Sequence, residues 1–295
     1  MVATASRVTV RRKPAGDRRR GERTPLTSVV MHLTLVGASL IALFPIVWLL
    51  LSSFKPASVV QSSDITLVEH PTLANYRHVL SDTNFPYWFL NSVIVAAATM
   101  AIGVFISATT GYAISRYRFP GRRPLMWTFL ITQMFPAAIL IVPIYVIMSN
   151  LGLINTLPSL IIANLTVMTP FCAWMLKGYF DTIPRELDES ASIDGLGPFA
   201  TFWRVVLPLA RPGLAVTAFF TFLTAWGEVM YASAFMQTDR RFTLAYGLQQ
   251  FVPQFNPQWH LLTASAILVT IPAGFVFLFA QRHLVAGLTA GSMKG

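Results

Sequence analysis

Residues 124–176 run for 53 positions without one Asp, Glu, Lys or Arg. Such a stretch cannot cover a water-facing surface, and it is more than twice the ~20 apolar residues that one helix needs to cross a bilayer. It is long enough for two helices and a turn. Its middle, Asn150-Leu151-Gly152-Leu153-Ile154-Asn155-Thr156-Leu157-Pro158, is dense in turn formers. Windows 24–54, 83–115 and 242–281 are equally free of charge, and 212–238 holds only Glu228. Charged residues make up 12% of the 295-residue chain, about half the ~25% of an average soluble domain. Ordinary soluble, disordered and fibrous classes are excluded, and the chain belongs in a bilayer.

These windows predict six spans, at about 29–53, 87–114, 125–148, 158–177, 213–236 and 261–282. Backbone groups in lipid must bond internally, which leaves helices or a closed barrel. The runs are continuously apolar with no period-two alternation, so the expected fold is all-α and polytopic. Eighteen of the 22 Lys and Arg fall in segments on the N-terminal side of the membrane. The excess of Lys and Arg marks the cytoplasmic side, so both termini are expected there. The other side receives only the short segments 54–86, 149–157 and 237–260.

Eight of the basic residues, from Arg7 to Arg23, precede the first span in a tail of residues 1–28. No aromatic is interleaved with them, so the tail reads as a topogenic signal and not as a nucleic-acid site. The first apolar run is too long for a secretory signal and has no small-x-small cleavage site after it. The single cysteine, Cys172, lies in an apolar run. It excludes an intrachain disulfide or a cysteine-cluster metal site and reads as a small core residue.

Ion-coupled carriers move charge through paired intramembrane acids, His or Arg. Here the one clear intramembrane acid is Glu228, and it reads either as a functional acid or as a group that sits near the outer interface or bonds a neighbouring helix. No phosphate-binding loop, nucleophile elbow or His-Glu-x-x-His pair is present. We expect no cofactor or metal on this chain, and no enzymatic chemistry; energy for uphill transport would come from a partner. Span three carries Met134, Pro136 and Pro143. The prolines read either as a kinked, pore-lining gate or as membrane prolines whose freed backbone groups neighbours re-satisfy.

The most informative segment is the cytoplasmic loop 178–212. Pro184 suits the first turn of a helix, and Glu186, Asp188 and Glu189 put negative charge at the positive end of its dipole. Gly195 suits a left-handed stop and Pro198 prevents continuation, so a helix is expected over 184–195. A second is expected from Phe199, Phe202, Trp203 and Val206 at i, i+3, i+4 and i+7, one apolar face, ended by Pro208. The loop is either an interfacial anchor or a docking element for a cytoplasmic partner.

Glu189-Ser190-Ala191, then Asp194-Gly195, nine residues and Val205-Val206-Leu207-Pro208 resemble the EAA motif of ABC-importer permeases, with Ser190 for the middle Ala. Tyr117-Arg118-Phe119-Pro120-Gly121, Gln133-Met134-Phe135-Pro136, Lys177-Gly178-Tyr179-Phe180 and the terminus from Gln281 to Gly295 are similar to the MalG-type permeases of maltose and maltodextrin importers. The resemblance covers almost the whole chain from span one onward, but not residues 1–25.

That resemblance implies a type I ABC-importer permease in a bacterial inner membrane, with an importer core of about 87–282. It implies a second, homologous MalF-like permease, two ABC ATPase subunits that use ATP and Mg, and an extracytoplasmic sugar-binding protein. The helix 184–195 would sit in a cleft of one ATPase. Glu189 would pair with a basic group there, Ser190 and Ala191 would allow close approach, and Gly195 would make the turn. Gly287, Gly291 and Gly295 would let the C-terminal tail thread toward the ATPase interface. Trp174, Trp226, Tyr145 and Tyr231 are possible sugar platforms, but Trp and Tyr also form membrane-interface belts, so no substrate residue is named. A stand-alone channel or secondary carrier is the alternative class.

Overall fold

A computed structural model describes residues 25–60 and 70–292, with side chains as far as residue 282. The basic tail before Pro25 and Gly295 lie outside the described residues. Every regular element among them is helical. The principal helices are α1 (Pro25–Ser53), α2 (Ala74–Ser81), α3 (Phe85–Arg116), α4 (Arg122–Met134), α5 (Ala137–Asn150), α6 (Leu157–Asp181), α7 (Glu186–Ile193), α8 (Pro198–Leu209), α9 (Arg211–Trp226), α10 (Met230–Phe235) and α11 (Trp259–Ser292). The chain divides into two compact units, residues 1–48 and 49–295. In the first, Phe44 stacks on Trp48 with ring centroids 6.1 Å apart, one turn along α1.

Among the described residues, four helices are long and apolar enough to cross a membrane: α1, α3, α6 and α11 as far as Arg282. The count rises to six if each of two bent pairs is taken as one span: α4 with α5, and α8 with α9. Within the second unit, α3 packs along α6, α9 packs on both, and α11 lies on α9. Close approach of α3 and α6 depends on Gly111: a Cβ there would meet the backbone N of Lys177 at 2.9 Å and the Ala173 oxygen at 3.0 Å. Two cores result. The larger joins Val79, Phe85, Trp88, Leu160, Phe235 and Leu244. The smaller lies where α3 ends and joins Tyr112, Leu176, Phe180, Phe202 and Val206.

The membrane prolines differ in their effect. Pro45, Pro143, Pro170 and Pro272 stay inside helices. Pro136 does not: the expected span 125–148 breaks there, and α4 and α5 meet at 107°. Phe135, forced extended by the ring that follows it, has ψ 126°. Gln133 donates its amide to the Val167 carbonyl at 3.1 Å, one turn before Pro170. The bond ties the end of α4 to α6.

Three further boundaries differ from expectation. The predicted span 213–236 stops at Trp226, and a separate short helix, α10, follows. Among the described residues, Glu228 bonds neither another long helix nor a partner acid. Its carboxylate accepts the Tyr231 and Ala232 backbone N–H groups at 2.6 and 3.1 Å, which caps α10. Pro208 does not end α8, which runs to Leu209. A π turn over Phe202–Val206, with Leu207 N–H bonded to the Phe202 oxygen, relieves the chain just before the proline. Lastly, α11 continues as helix through Ser292 and includes Gly287 and Gly291, although an open tail was expected there.

The end of α3 remote from the smaller core is also tied down. Asn84 and Trp88 donate to the Asp239 carboxylate, the latter at 3.1 Å. Asn91 donates to the Arg240 and Phe242 oxygens, both at 2.9 Å. The turn between α5 and α6 is organised by Asn155, at φ +62°. Its side-chain oxygen accepts from Gln237 and Thr238, and its amide donates to the Thr238 hydroxyl.

Candidate functional site

The loop between α6 and α9 contains the EAA-like residues. Helix α7 spans Glu186–Ile193, shorter than the expected 184–195 but stopped as predicted. Gly195 has φ +83°. Gly195 donates its N–H to the Ser192 oxygen at 3.1 Å, and Leu196 donates to Ala191 at 2.9 Å. This is a Schellman stop, in which a residue without Cβ adopts the left-handed turn. At the other end, Glu186, Asp188 and Glu189 occupy the first turn, where carboxylates oppose the helix dipole.

The two faces of α7 differ. Glu186, Glu189, Ser190 and Ile193 fall at i, i+3, i+4 and i+7 and are all exposed, with Ile193 86% exposed. Asp188 and Ala191 face inward, and Ala191 is buried against its own chain at 4% exposure. Ala191 therefore serves internal packing, whereas it was expected to ease the approach of a partner. Asp194 and Gly195 are exposed at the helix end.

The inward face is anchored to α3, 70 residues earlier in the chain. The Tyr112 hydroxyl donates to Asp188 Oδ1 at 2.7 Å, and Arg116 Nε lies 2.9 Å from Asp188 Oδ2 in an ion pair. Arg116 also donates from its terminal nitrogen to the Ile183 oxygen at 3.0 Å. Tyr112 and Arg116 are one turn apart, so they share a face of α3. A second set of bonds lies beside them. Arg185 donates to the Ser115 oxygen at 2.9 Å, Ser115 donates to Asp181 Oδ1 at 2.7 Å, and Lys177 pairs with Asp181 at 2.6 Å. The Tyr112 ring packs at 4.9 Å from Phe202 and 5.8 Å from Phe180, so α8 joins the same cluster. Tyr112, Arg116, Arg185, Asp188, Glu189 and Ser192 line a cavity of about 290 Å³ at the root of α7.

The apolar face predicted for α8 is divided. Phe202 and Val206 are buried at 3% and 0% exposure, whereas Phe199 and Trp203 are 64% and 47% exposed. Leu207 packs on the smaller core and Pro208 is exposed. Sequence reasoning did not find the roles of Tyr112, Arg116, Asp181 and Arg185. The sequence signal was the bunching of Arg and Lys at this end of the spans, which was read only as topology.

The predicted gate residues and aromatic platforms are not brought to this site. Met134 and Phe135, at the bend between α4 and α5, are 81% and 53% exposed. Pro136 is the first residue before α5, and Pro143 lies within it. Of the possible aromatic platforms, Trp226 and Tyr231 are buried in the larger core, and Trp174 is 38% exposed. Cys172 is a buried core residue, as expected.

Residues 103–290 match the family model described as "Binding-protein-dependent transport system inner membrane component". The maltodextrin transport system permease protein MalD of Streptococcus pneumoniae is 36% identical over 271 residues, covering 92% of this chain and 96% of that protein. The trehalose transport system permease protein SugB of Mycobacterium tuberculosis is 34% identical over 256 residues, covering 86% of this chain and 93% of that one. The fold is shared with a chain from the crystal structure of a bacterial ABC transporter involved in the import of the acidic polysaccharide alginate. There the TM-score is 0.76 at 21% identity, with 87% of this chain and 96% of that chain covered. With the EAA-like loop folded as a capped helix and more than half of the chain matching the family model, the chain belongs to the binding-protein-dependent transport-system inner membrane components, as a multi-pass ABC-importer permease of the MalG-like carbohydrate group.

Proposed function

We propose that this chain is one of two membrane-spanning subunits of an ATP-driven importer that carries a disaccharide or oligosaccharide of the maltose or trehalose type into the cytoplasm. A MalF-like permease completes the translocation path. Two ATPase subunits bind from the cytoplasmic side, and an extracytoplasmic binding protein delivers the sugar. In this reading the loop 178–212 and both termini are cytoplasmic, in keeping with the excess of Lys and Arg at that side. Relatives named for maltodextrin and trehalose transport support the sugar class. A related alginate transporter solved in complex with its pentasaccharide-bound periplasmic protein supports the delivery step.

The observation that carries the reading is the division of α7 into two faces. One is bonded into the chain through Asp188 and Ala191, and the other leaves Glu189, Ser190 and an apolar Ile193 uncovered. An ATPase cleft that receives Glu189 beside a basic group and covers Ile193 would fit that outer face. When ATP closes the ATPase pair, α7 moves with its cleft and the spans change from inward to outward access. The exposed bend at Met134, Phe135 and Pro136 would then face the path between the two permeases and serve as a gate. Gly287, Gly291 and Gly295 would lie toward the ATPase interface.

The test is copurification in mild detergent. Wild-type chain should bring down a second permease and an ATPase, and Glu189→Lys or Gly195→Asp should reduce the ATPase while the chain still inserts. If both variants retain full coupling of hydrolysis to sugar uptake, α7 is not the docking helix.

A further inference from the structure

Helix α7 has eight residues, fewer than the ~12–15 that an isolated helix needs to persist in water. It joins its neighbours through Thr182–Arg185 on one side and Gly195–Gly197 on the other, neither of which is part of a helix. A push on the outer face of α7 would be lost in those connections unless the helix were held to the bundle by something else. Only one of its charged side chains is held that way in the described bonds: Asp188, bonded by Tyr112 and paired with Arg116.

The geometry suits transmission. Both partners lie on one face of α3, one turn apart, and grip different oxygens of the same carboxylate. Arg116 has only 6% of its side chain exposed. It also holds Ile183, so one guanidinium fixes both the entry to the loop and the first turn of α7. A charge pair shielded from water is screened far less than a surface pair. Removing one partner leaves the other charge buried and unpaired. Beyond this point α3 continues without interruption through the bundle to Phe85.

We propose that Asp188 is the positioning residue through which α7 moves the transmembrane helices. Its hydrogen bond from Tyr112 and its ion pair with Arg116 form a strut that makes α7 and the end of α3 shift as one body, so that a displacement imposed on Glu189 and Ile193 reaches α3 without passing along the peptide chain. The inference rests on the proposed importer function. It assigns to an inward-facing carboxylate a task separate from docking.

The test uses the complete importer in proteoliposomes, with sugar uptake and ATP hydrolysis measured on the same preparation. Asp188→Asn keeps shape and an acceptor for Tyr112 but removes the charge facing Arg116. It should lower sugar molecules imported per ATP by about 5-fold or more, the range of an allosteric coupling of a kilocalorie or so, while ATPase copurification stays at the wild-type level. Arg116→Gln should do the same, and the double variant should be no worse than either single one, because both remove one link. Asp188→Glu, which restores the charge, should recover part of the ratio. Tyr112→Phe, which removes only a hydroxyl, provides a second reading if Asp188→Asn does not assemble.

Unchanged import per ATP in Asp188→Asn and Tyr112→Phe overturns the strut, as does strictly additive loss in the double variant. These results leave the importer reading intact. That reading fails separately, if the wild-type chain copurifies with no ATPase.

Discussion

The backbone of α3 at Gly111 lies so close to Lys177 on α6 that a single added carbon would sit 2.9 Å from the Lys177 nitrogen. The obstructing atoms belong to backbone, which cannot rotate away as a side-chain tip can. This contact lies one residue before Tyr112 and next to Lys177, which pairs with Asp181, so the helix approach and the anchorage of the loop are parts of one arrangement.

Gly111→Ala is therefore expected to destabilise the protein by about 1–3 kcal/mol, the usual cost of overpacking, although Ala normally favours a helix by up to about 1 kcal/mol over Gly. Gly178, on α6, has nothing within 4 Å of the same added carbon, and Gly178→Ala should be neutral or mildly stabilising. Thermal unfolding of both variants in detergent compares them directly. Equal behaviour of the two would mean that α3 and α6 are not this close.

Asn155 offers a second comparison. Its positive φ costs a residue with a Cβ about 1–2 kcal/mol, and Asn offsets this through bonds to Gln237 and Thr238. Asn155→Ala loses the bonds and keeps the strain, whereas Asn155→Gly loses the bonds and the strain together. The Ala variant should be the less stable by about 1 kcal/mol, read as a lower unfolding midpoint under the same conditions.

Topology can be read with cysteine labels. Native Cys172 is 1% exposed and should stay silent to a membrane-impermeant maleimide in the folded protein. Ser81 and Ser192 are both exposed. Ser81→Cys should react from outside intact cells, and Ser192→Cys only after the membrane is opened. The opposite pattern would reverse the orientation assigned from Lys and Arg.

Long charge-free windows identified where α1, α3, α6 and α11 lie, because transfer of apolar surface into lipid depends on composition summed over a helix length. They could not report direction. The break at Pro136 and the stop after Trp226 interrupt the helix with little change in its hydropathy, so both were read as continuous spans. The end of α7 was legible because a Schellman stop is local: Gly195 and its neighbours carry the whole geometry. Tyr112 and Arg116 were not legible as partners of Asp188, since more than 70 residues separate them and nothing in either segment alone reports the pairing. The apolar repeat of α8 suggested one buried face. The stripe splits into two i, i+4 pairs on adjacent flanks, with Phe199 and Trp203 outside and Phe202 and Val206 inside.

That wide turn also gives meaning to the count of residues in the EAA-like pattern. It lies between Gly195 and Pro208, so the interval includes one residue more than a regular helix of the same rise would need. Excising a residue there would let the backbone wind normally. Removing a second residue, with no wide turn left to absorb it, would rotate Leu207 by roughly 100° against the bundle, since each helical residue advances by that angle. The interval thus acts as a gauge of angular phase, and its length is set by how the following span must be aimed.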